Sequence, residues 1–220
     1  RDGHAMQSRA CSQPLASRPG MAPDQWHYLT LVSAPNGTVT LYIDGELESS
    51  ANLPTAPQPS WQLALGDRNQ GAAGYAGLMD EVVLFSRALN ATEVINAMSN
   101  EMAIVEFPWI DLSFERHQLS GGQRQFLSRN YAVQQHASGP SGSALVGTPW
   151  GAGLGENSSV VVPLNGLDQS PARYSLSAWV MPFGGSGVNI FSDWGSDPSG
   201  FDNLPKLGYN NIGQLDLLYA

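Results

Sequence analysis

Charge is scarce in this sequence. Charged residues make up 13% of 220 positions, and Lys206 is the sole lysine. No polybasic run can form, and the net charge is −9. Nucleic acid and anionic membrane surfaces both need a basic footprint, so neither is expected as a partner. No apolar window is long enough to cross a bilayer, and no signal peptide is visible. Cysteine is just as short: Cys11 stands alone. It cannot form an internal disulfide, and in an exported protein it would be free or paired outside this stretch. The chain begins RDGHAM without an initiator Met and ends on Leu217-Leu218-Tyr219-Ala220, within what reads as a strand. The expectation is a piece of a longer polypeptide.

What is abundant is turn chemistry. The 24 glycines and 15 prolines favour many short strands over long helices. Trp26 to Val32 has strand composition, and Pro35-Asn36-Gly37 is a turn signal. Val39, Leu41 and Ile43 then alternate with Thr38, Thr40 and Tyr42, the period of a half-buried strand, closed by Asp44-Gly45. Residues 51–60 read as a proline-rich crossing loop, Trp61 to Gly66 as a strand, and residues 67–74 as a loop. Leu78 to Phe85 is apolar on both faces from Val82 on, which suits a central strand. After it, Asn90 has the position of a helix N-cap, with Glu93 as its capping-box partner and Leu89 and Val94 as a hydrophobic staple. Val94, Ile95 and Met98 should face the sheet. Residues 115–157 look loop-rich. Val160 to Val162, Tyr174 to Val180, Asn189 to Trp194, Leu204 to Tyr209 and Gln214 to Tyr219 continue the strand series. Recurrent turns between short strands indicate a sandwich or barrel.

Several motifs promise chemistry that the rest of the chain does not support. Leu119 to Gln125, LSGGQRQ, matches a nucleotide-facing signature of transporter ATPases, but no phosphate-binding loop with its lysine accompanies it. Gly151-Ala-Gly153-Leu-Gly155 lacks dinucleotide spacing and reads as a turn. His4, His27, His117 and His136 show no zinc spacing, and His27 reads as a strand-packing residue. Asp44, Glu46 and Glu48 alternate around Gly45 and read as a solvated hairpin end. Asp80 and Glu81 are adjacent, which on a regular strand sends them to opposite faces. One of them should cap a turn or pair with Arg87. Three sequons, Asn36-Gly-Thr, Asn90-Ala-Thr and Asn157-Ser-Ser, point to glycosylation of an exported protein, extracellular or at the cell surface.

Taken together, Trp26-His27, Tyr42-Ile43-Asp44-Gly45, Gly77-Leu78-Met79-Asp80-Glu81-Val82 and Arg87-Ala88-Leu89 resemble the C-terminal half of a laminin-G-like, concanavalin A-type jelly roll. Asn90 stands where that family usually has serine. The later segments SGPSGSALVG, SSVVVPL, YSLSAWVMP, FSDWG and LGYNNIGQLDLLY resemble the N-terminal half of the same kind of domain. The resemblance implies an all-β antiparallel jelly-roll sandwich with one short helix after the Asp-Glu-Val strand. It divides the chain at residue 103: residues 1–103 as the closing half of one jelly roll and 104–220 as the opening half of the next. The alternative is that both halves complete one permuted domain.

For function, the resemblance implies a non-enzymatic module of a large glycoprotein, adhesive or structural in a coat or fibre, whose partners are other domains of the same chain or assembly. The alternative is a carbohydrate-binding module attached to an enzyme. Some concanavalin-type folds are glycoside hydrolases, which set two carboxylates on one strand face about 5 Å apart. The Glu-x-Asp-x-x-Glu run of the related glucanases is absent here. Relatives often bind calcium, an ion that collects loop oxygens. The candidate donors are Asp67, Asn69 and Asp80, with a second oxygen-rich loop at Asp193, Asp197, Asp202 and Asn203. Trp61, Trp150, Trp194 and Tyr209 are candidates for a glycan platform, because rings stack on the apolar faces of sugars.

Overall fold

A computed structural model describes residues 15–16, 21–52, 62–66, 75–99, 108, 110–114, 117–120, 123–127, 136–138, 146–148, 151–154, 159–163, 173–183, 188–193, 206–209 and 215–218. Chain order gives β1 (Leu15–Ala16), β2 (His27–Ser33), β3 (Thr38–Ile43), β4 (Glu46–Asn52), β5 (Gln62–Gly66) and β6 (Gly77–Phe85), then helix α1 (Ala91–Met98). After the helix come β7 (Ile110–Leu112), β8 (His117–Ser120), β9 (Gln123–Leu127), β10 (His136–Ser138), β11 (Val146–Thr148) and β12 (Gly151–Leu154). The last strands are β13 (Ser159–Pro163), β14 (Tyr174–Pro182), β15 (Val188–Asp193), β16 (Lys206–Tyr209) and β17 (Leu215–Leu218). The described residues are thus all-β with one short helix soon after the Asp-Glu-Val strand, as the resemblance implied.

All described pairings are antiparallel. One sheet runs β11-β12-β6-β14-β2-β3-β4, with β7 also on β6, and the other runs β1-β17-β16-β15-β5-β13-β10-β9-β8. Strands from either side of residue 103 are interleaved in both sheets. The two sequence halves therefore close on each other within this chain.

The main core lies on the inner faces. Leu29 and Leu31 (β2), Val39 and Leu41 (β3), Met79, Val82 and Leu84 (β6) and Leu176, Ala178 and Val180 (β14) meet Leu63 and Leu65 (β5), Val160 (β13) and Ile190 and Phe191 (β15). Alternation decides which residues enter it, since a strand sends every second side chain to one face. A smaller cluster, Val32, Phe85, Leu89 and Val94, sits on the other face of the first sheet under α1.

The hairpins follow their turn residues. At the β2–β3 turn, Asn36 Oδ1 accepts the Thr38 N–H at 3.0 Å and Gly37 has φ +83°. At the β3–β4 turn, Asp44 and Gly45 both have positive φ (52° and 80°), the backbone of a tight primed turn. The helix begins as expected: Asn90 Oδ1 accepts the Glu93 N–H at 3.0 Å, and Glu93 Oε2 accepts the Asn90 N–H at 2.8 Å. Leu89 and Val94 are both buried in the small cluster, as a staple requires.

Four expectations change. Residues 46–52 form an edge strand, not a hairpin end running into a loop; ELESSAN is polar because only Ala51 packs on the main core. Residues 115–157 contain β8 to β12. Within them, the Gly151 stretch is a strand paired with β6 and β11. LSGGQRQ is a hairpin, with Ser120 opposite Gln123. In α1, Val94 faces the sheet, whereas Ile95 is 48% exposed. Adjacent residues on a helix point about 100° apart, so the face that buries Val94 leaves Ile95 turned away.

Candidate binding surface on the outer face

The outer face of the first sheet is divided by what covers it. On β14, Tyr174, Leu176, Ala178 and Val180 point to the core, so Ser175, Ser177, Trp179 and Met181 point outward. On β6 the outward set is Leu78, Asp80, Val83 and Phe85. At one end, α1 covers Val32, Val83 and Phe85. At the other end, no helix among the described residues lies above the cross-strand pairs Trp179↔Asp80 and Met181↔Leu78. These four side chains are half-buried. Phe183 follows them, 53% exposed, with its N–H donating to the Ala76 carbonyl at 2.9 Å.

The strip is built on a firm base. Trp179 packs on Tyr28 with ring centroids 5.1 Å apart and planes tilted by 57°. That is a favourable aromatic pair geometry. Burial raises the Tyr28 phenol pKa above the ordinary value, partly offset by the nearby Ser177 and Thr30 hydroxyls. Those two hydroxyls approach Tyr28 without satisfying hydrogen-bond geometry themselves. Gly77 lies where the backbone of β14 comes close: a Cβ there would stand 2.4 Å from the Met181 carbonyl oxygen and 2.6 Å from the Tyr75 hydroxyl.

Asp80 and Glu81 do not lie on opposite faces of a regular strand. The register with β14 slips between Ser177 and Trp179, and Glu81 has φ +49°. This β-bulge keeps Met79 and Val82 both in the core while Asp80 stays beside Trp179. Asp80 Oδ1 accepts the Glu81 N–H at 2.8 Å, which stabilises the left-handed residue. Arg87 donates to Glu93 Oε2 at 2.8 Å, and this hydrogen bond, ahead of the other influences, holds the Glu93 carboxyl below its ordinary pKa.

Beside the strip, His27 does more than pack. Its Nδ1 lies 2.8 Å from Asp44 Oδ2, and Asp44 Oδ1 accepts the Tyr28 N–H at 2.8 Å. One carboxylate thus ties the start of β2 to the β3–β4 turn. The pair has the shape of a base and its orienting acid, and the buried His27 Nε2 has no hydrogen-bond partner among the described residues.

Of the candidate calcium donors, Asp80 is placed as above, while Asp67 and Asn69 lie outside the described residues. Asp193 ends β15, and Asp197, Asp202 and Asn203 lie outside. Among the described residues, no group of three or more His, Cys, Asp or Glu side chains is arranged to hold a metal. Asn36 and Asn90 are exposed, and both use Oδ1 for a backbone contact. Asn157, Cys11, Trp61, Trp150 and Trp194 lie outside the described residues, and for Tyr209 only its place on β16 is described. Among the described residues, no helix is long and apolar enough to cross a membrane.

The platform residues that the sequence reading missed are Trp179, Met181 and Phe183. A signal for the first two was there: in YSLSAWVMP they share the face of the serines, opposite Leu176, Ala178 and Val180.

With this arrangement in view, residues 7–95 match a laminin-G-like family model described as the concanavalin A-like lectin/glucanases superfamily. The match runs from ahead of β1 into α1, so this part of the chain is similar to laminin-G-like, concanavalin A-like domains. No curated protein and no solved structure matches the chain. The family supports a lectin-like or adhesive binding module.

Proposed function

We propose that the chain is a non-enzymatic binding module of a large extracellular or cell-surface glycoprotein, acting in adhesion or within a coat or fibre through laminin-G-like domains in series. The carrying observation is the strip of Leu78, Asp80, Trp179, Met181 and Phe183 at the end of the outer face that α1 leaves uncovered. Apolar and aromatic side chains next to one carboxylate form a recognition surface rather than a reaction centre.

The same strip favours one second reading, that the ligand is a glycan. A half-buried indole fixed by Tyr28 offers a face for a sugar ring, and the Asp80 carboxylate offers acceptors for hydroxyls. Calcium, held by Asp80 with Asp67 and Asn69 from the preceding loop, belongs to this reading. Glycosylation at Asn36 and Asn90 fits the geometry, because their structural contacts use Oδ1 and the amide nitrogen is the atom that carries a glycan.

The test is a glycan array and a panel of matrix proteins, probed with and without EDTA, using the wild type and Trp179→Ala. Binding that falls at least tenfold in Trp179→Ala supports the strip as the site. Binding unchanged in that variant sinks it. Loss on EDTA alone separates the calcium reading from the others.

A further inference from the structure

Strand order in both sheets has a property that neither half of the chain supplies alone. In the first sheet, β14 lies between β2 and β6. It pairs from Tyr174 to Val180 with β2 and from Ser175 to Pro182 with β6. In the second sheet, β5 lies between β13 and β15. Each half therefore donates one strand into the middle of the other's sheet. Without β14, β2 and β6 face each other across a one-strand gap, and Leu29, Leu31, Met79 and Leu84 lose Leu176, Ala178 and Val180. Without β5, β13 and β15 stand apart and lose Leu63 and Leu65. A buried side-chain clasp crosses the same seam: the Leu89 N–H donates to Ser175 Oγ at 2.9 Å, and the Ser175 hydroxyl donates to the Arg87 carbonyl at 2.9 Å. The halves are joined covalently only through residues 99–109, because Cys11 is the sole cysteine.

We propose that this reciprocal donation also operates between copies, so that the partner is a second copy of this chain. The second half of one copy closes on the first half of the next, β14 passing one way and β5 the other. Every contact made is one already present within a single chain, so no new surface is required. What the exchange gives up is the tether, which keeps the halves at high effective concentration. Two copies exchanging mutually make a closed dimer; successive exchange makes a head-to-tail chain or ring. This deepens the structural role proposed above, but it rests on strand order and is read out by mass, independently of any ligand on the outer face.

The experiment refolds the full chain at increasing concentration and measures mass by light scattering, alongside a version with a protease site inserted between residues 103 and 104. The expected result is a ladder of multiples of 23.5 kDa. Cutting the inserted site should collapse it to particles of one chain mass, because every seam then joins one first half to one second half. A ladder that survives the cut, or no ladder at any concentration, overturns the proposal. A second measurement uses paired lesions across the register Leu29↔Ala178. Leu29→Asp and Ala178→Asp should each fail to fold alone, yet mixed they should give 1:1 dimers containing one intact sandwich. No recovery of folded signal on mixing also overturns it.

Discussion

Replacing Ser175 by alanine tests how the turn before the helix is held to a strand more than eighty residues away. Ser175 is fully buried, and its hydroxyl satisfies two backbone groups at once, the Leu89 N–H and the Arg87 carbonyl, both at 2.9 Å. Leu89 is buried as well, so its N–H has no route to water in the folded state. An orphaned buried donor costs about 1–3 kcal/mol, and the carbonyl, beside a half-buried Arg87, adds less. The expected loss is about 2 kcal/mol. For a chain of this length that lowers the melting temperature by roughly 4–8 °C. Urea unfolding followed by tryptophan fluorescence should show a lower midpoint with an unchanged slope, since the surface exposed on unfolding is the same. Ser177→Ala is the control. That side chain is two residues away on the same face and equally buried, but its hydroxyl has no hydrogen-bond partner. Its removal should change stability by less than about 0.5 kcal/mol, because no pairing is broken. Equal losses in the two variants would refute the clasp and leave only a general cost of shaving the β14 outer face.

Two further outcomes follow from local geometry. Asp44→Ala removes the acceptor of the Tyr28 N–H and of His27 and puts a β-carbon residue without a compensating side chain at φ +52°. A loss of about 2 kcal/mol is expected by thermal unfolding, and Asp44→Gly, which adopts the positive φ freely, should lose less; the reverse order would show that the left-handed backbone carries no cost there, and no loss in either variant would show that the carboxylate contacts are unimportant. Burial pushes the Asp111 carboxyl up to about 6, from an unfolded value of 3.8. The folded protein therefore binds more protons than the unfolded chain between these values, and the contribution of Asp111 to stability is present below pH 4 and declines as pH rises through 6. Asp111→Asn should flatten that part of the stability profile, and a profile still falling as steeply would assign the effect elsewhere.

Local signals were legible because the residues that make them are neighbours. The Asn-Gly and Asp-Gly turns, the alternation of Val39 to Ile43 and the Asn90–Glu93 box each lie within a few residues. The strands that escaped notice lack such signals. β4 is an edge whose polar side chains hide the period, and β12 is Gly-Ala-Gly-Leu, which reads as a turn until β6 is found beside it. The bulge at Glu81 was illegible for another reason: it is fixed by the slip against Ser177 and Trp179, a hundred residues on. The candidate surface divides in the same way. Asp80 was singled out from its own motif, whereas Trp179 could be set beside it only once β6 and β14 were known to pair.

The position of β14 also sets a timetable for synthesis. Roughly a hundred residues separate the end of β6 from the end of β14, so at ribosomal rates about 5–20 s pass between the emergence of the two. Throughout that interval β2 and β6 are present without the strand that separates them. Contacts this distant in sequence also form slowly once their partners exist. The nascent chain thus carries an open slot lined by Leu29, Leu31, Met79 and Leu84 until β14 has been made. Safe arrival at the folded state depends on what shields that slot during translation as much as on the stability of the finished sandwich.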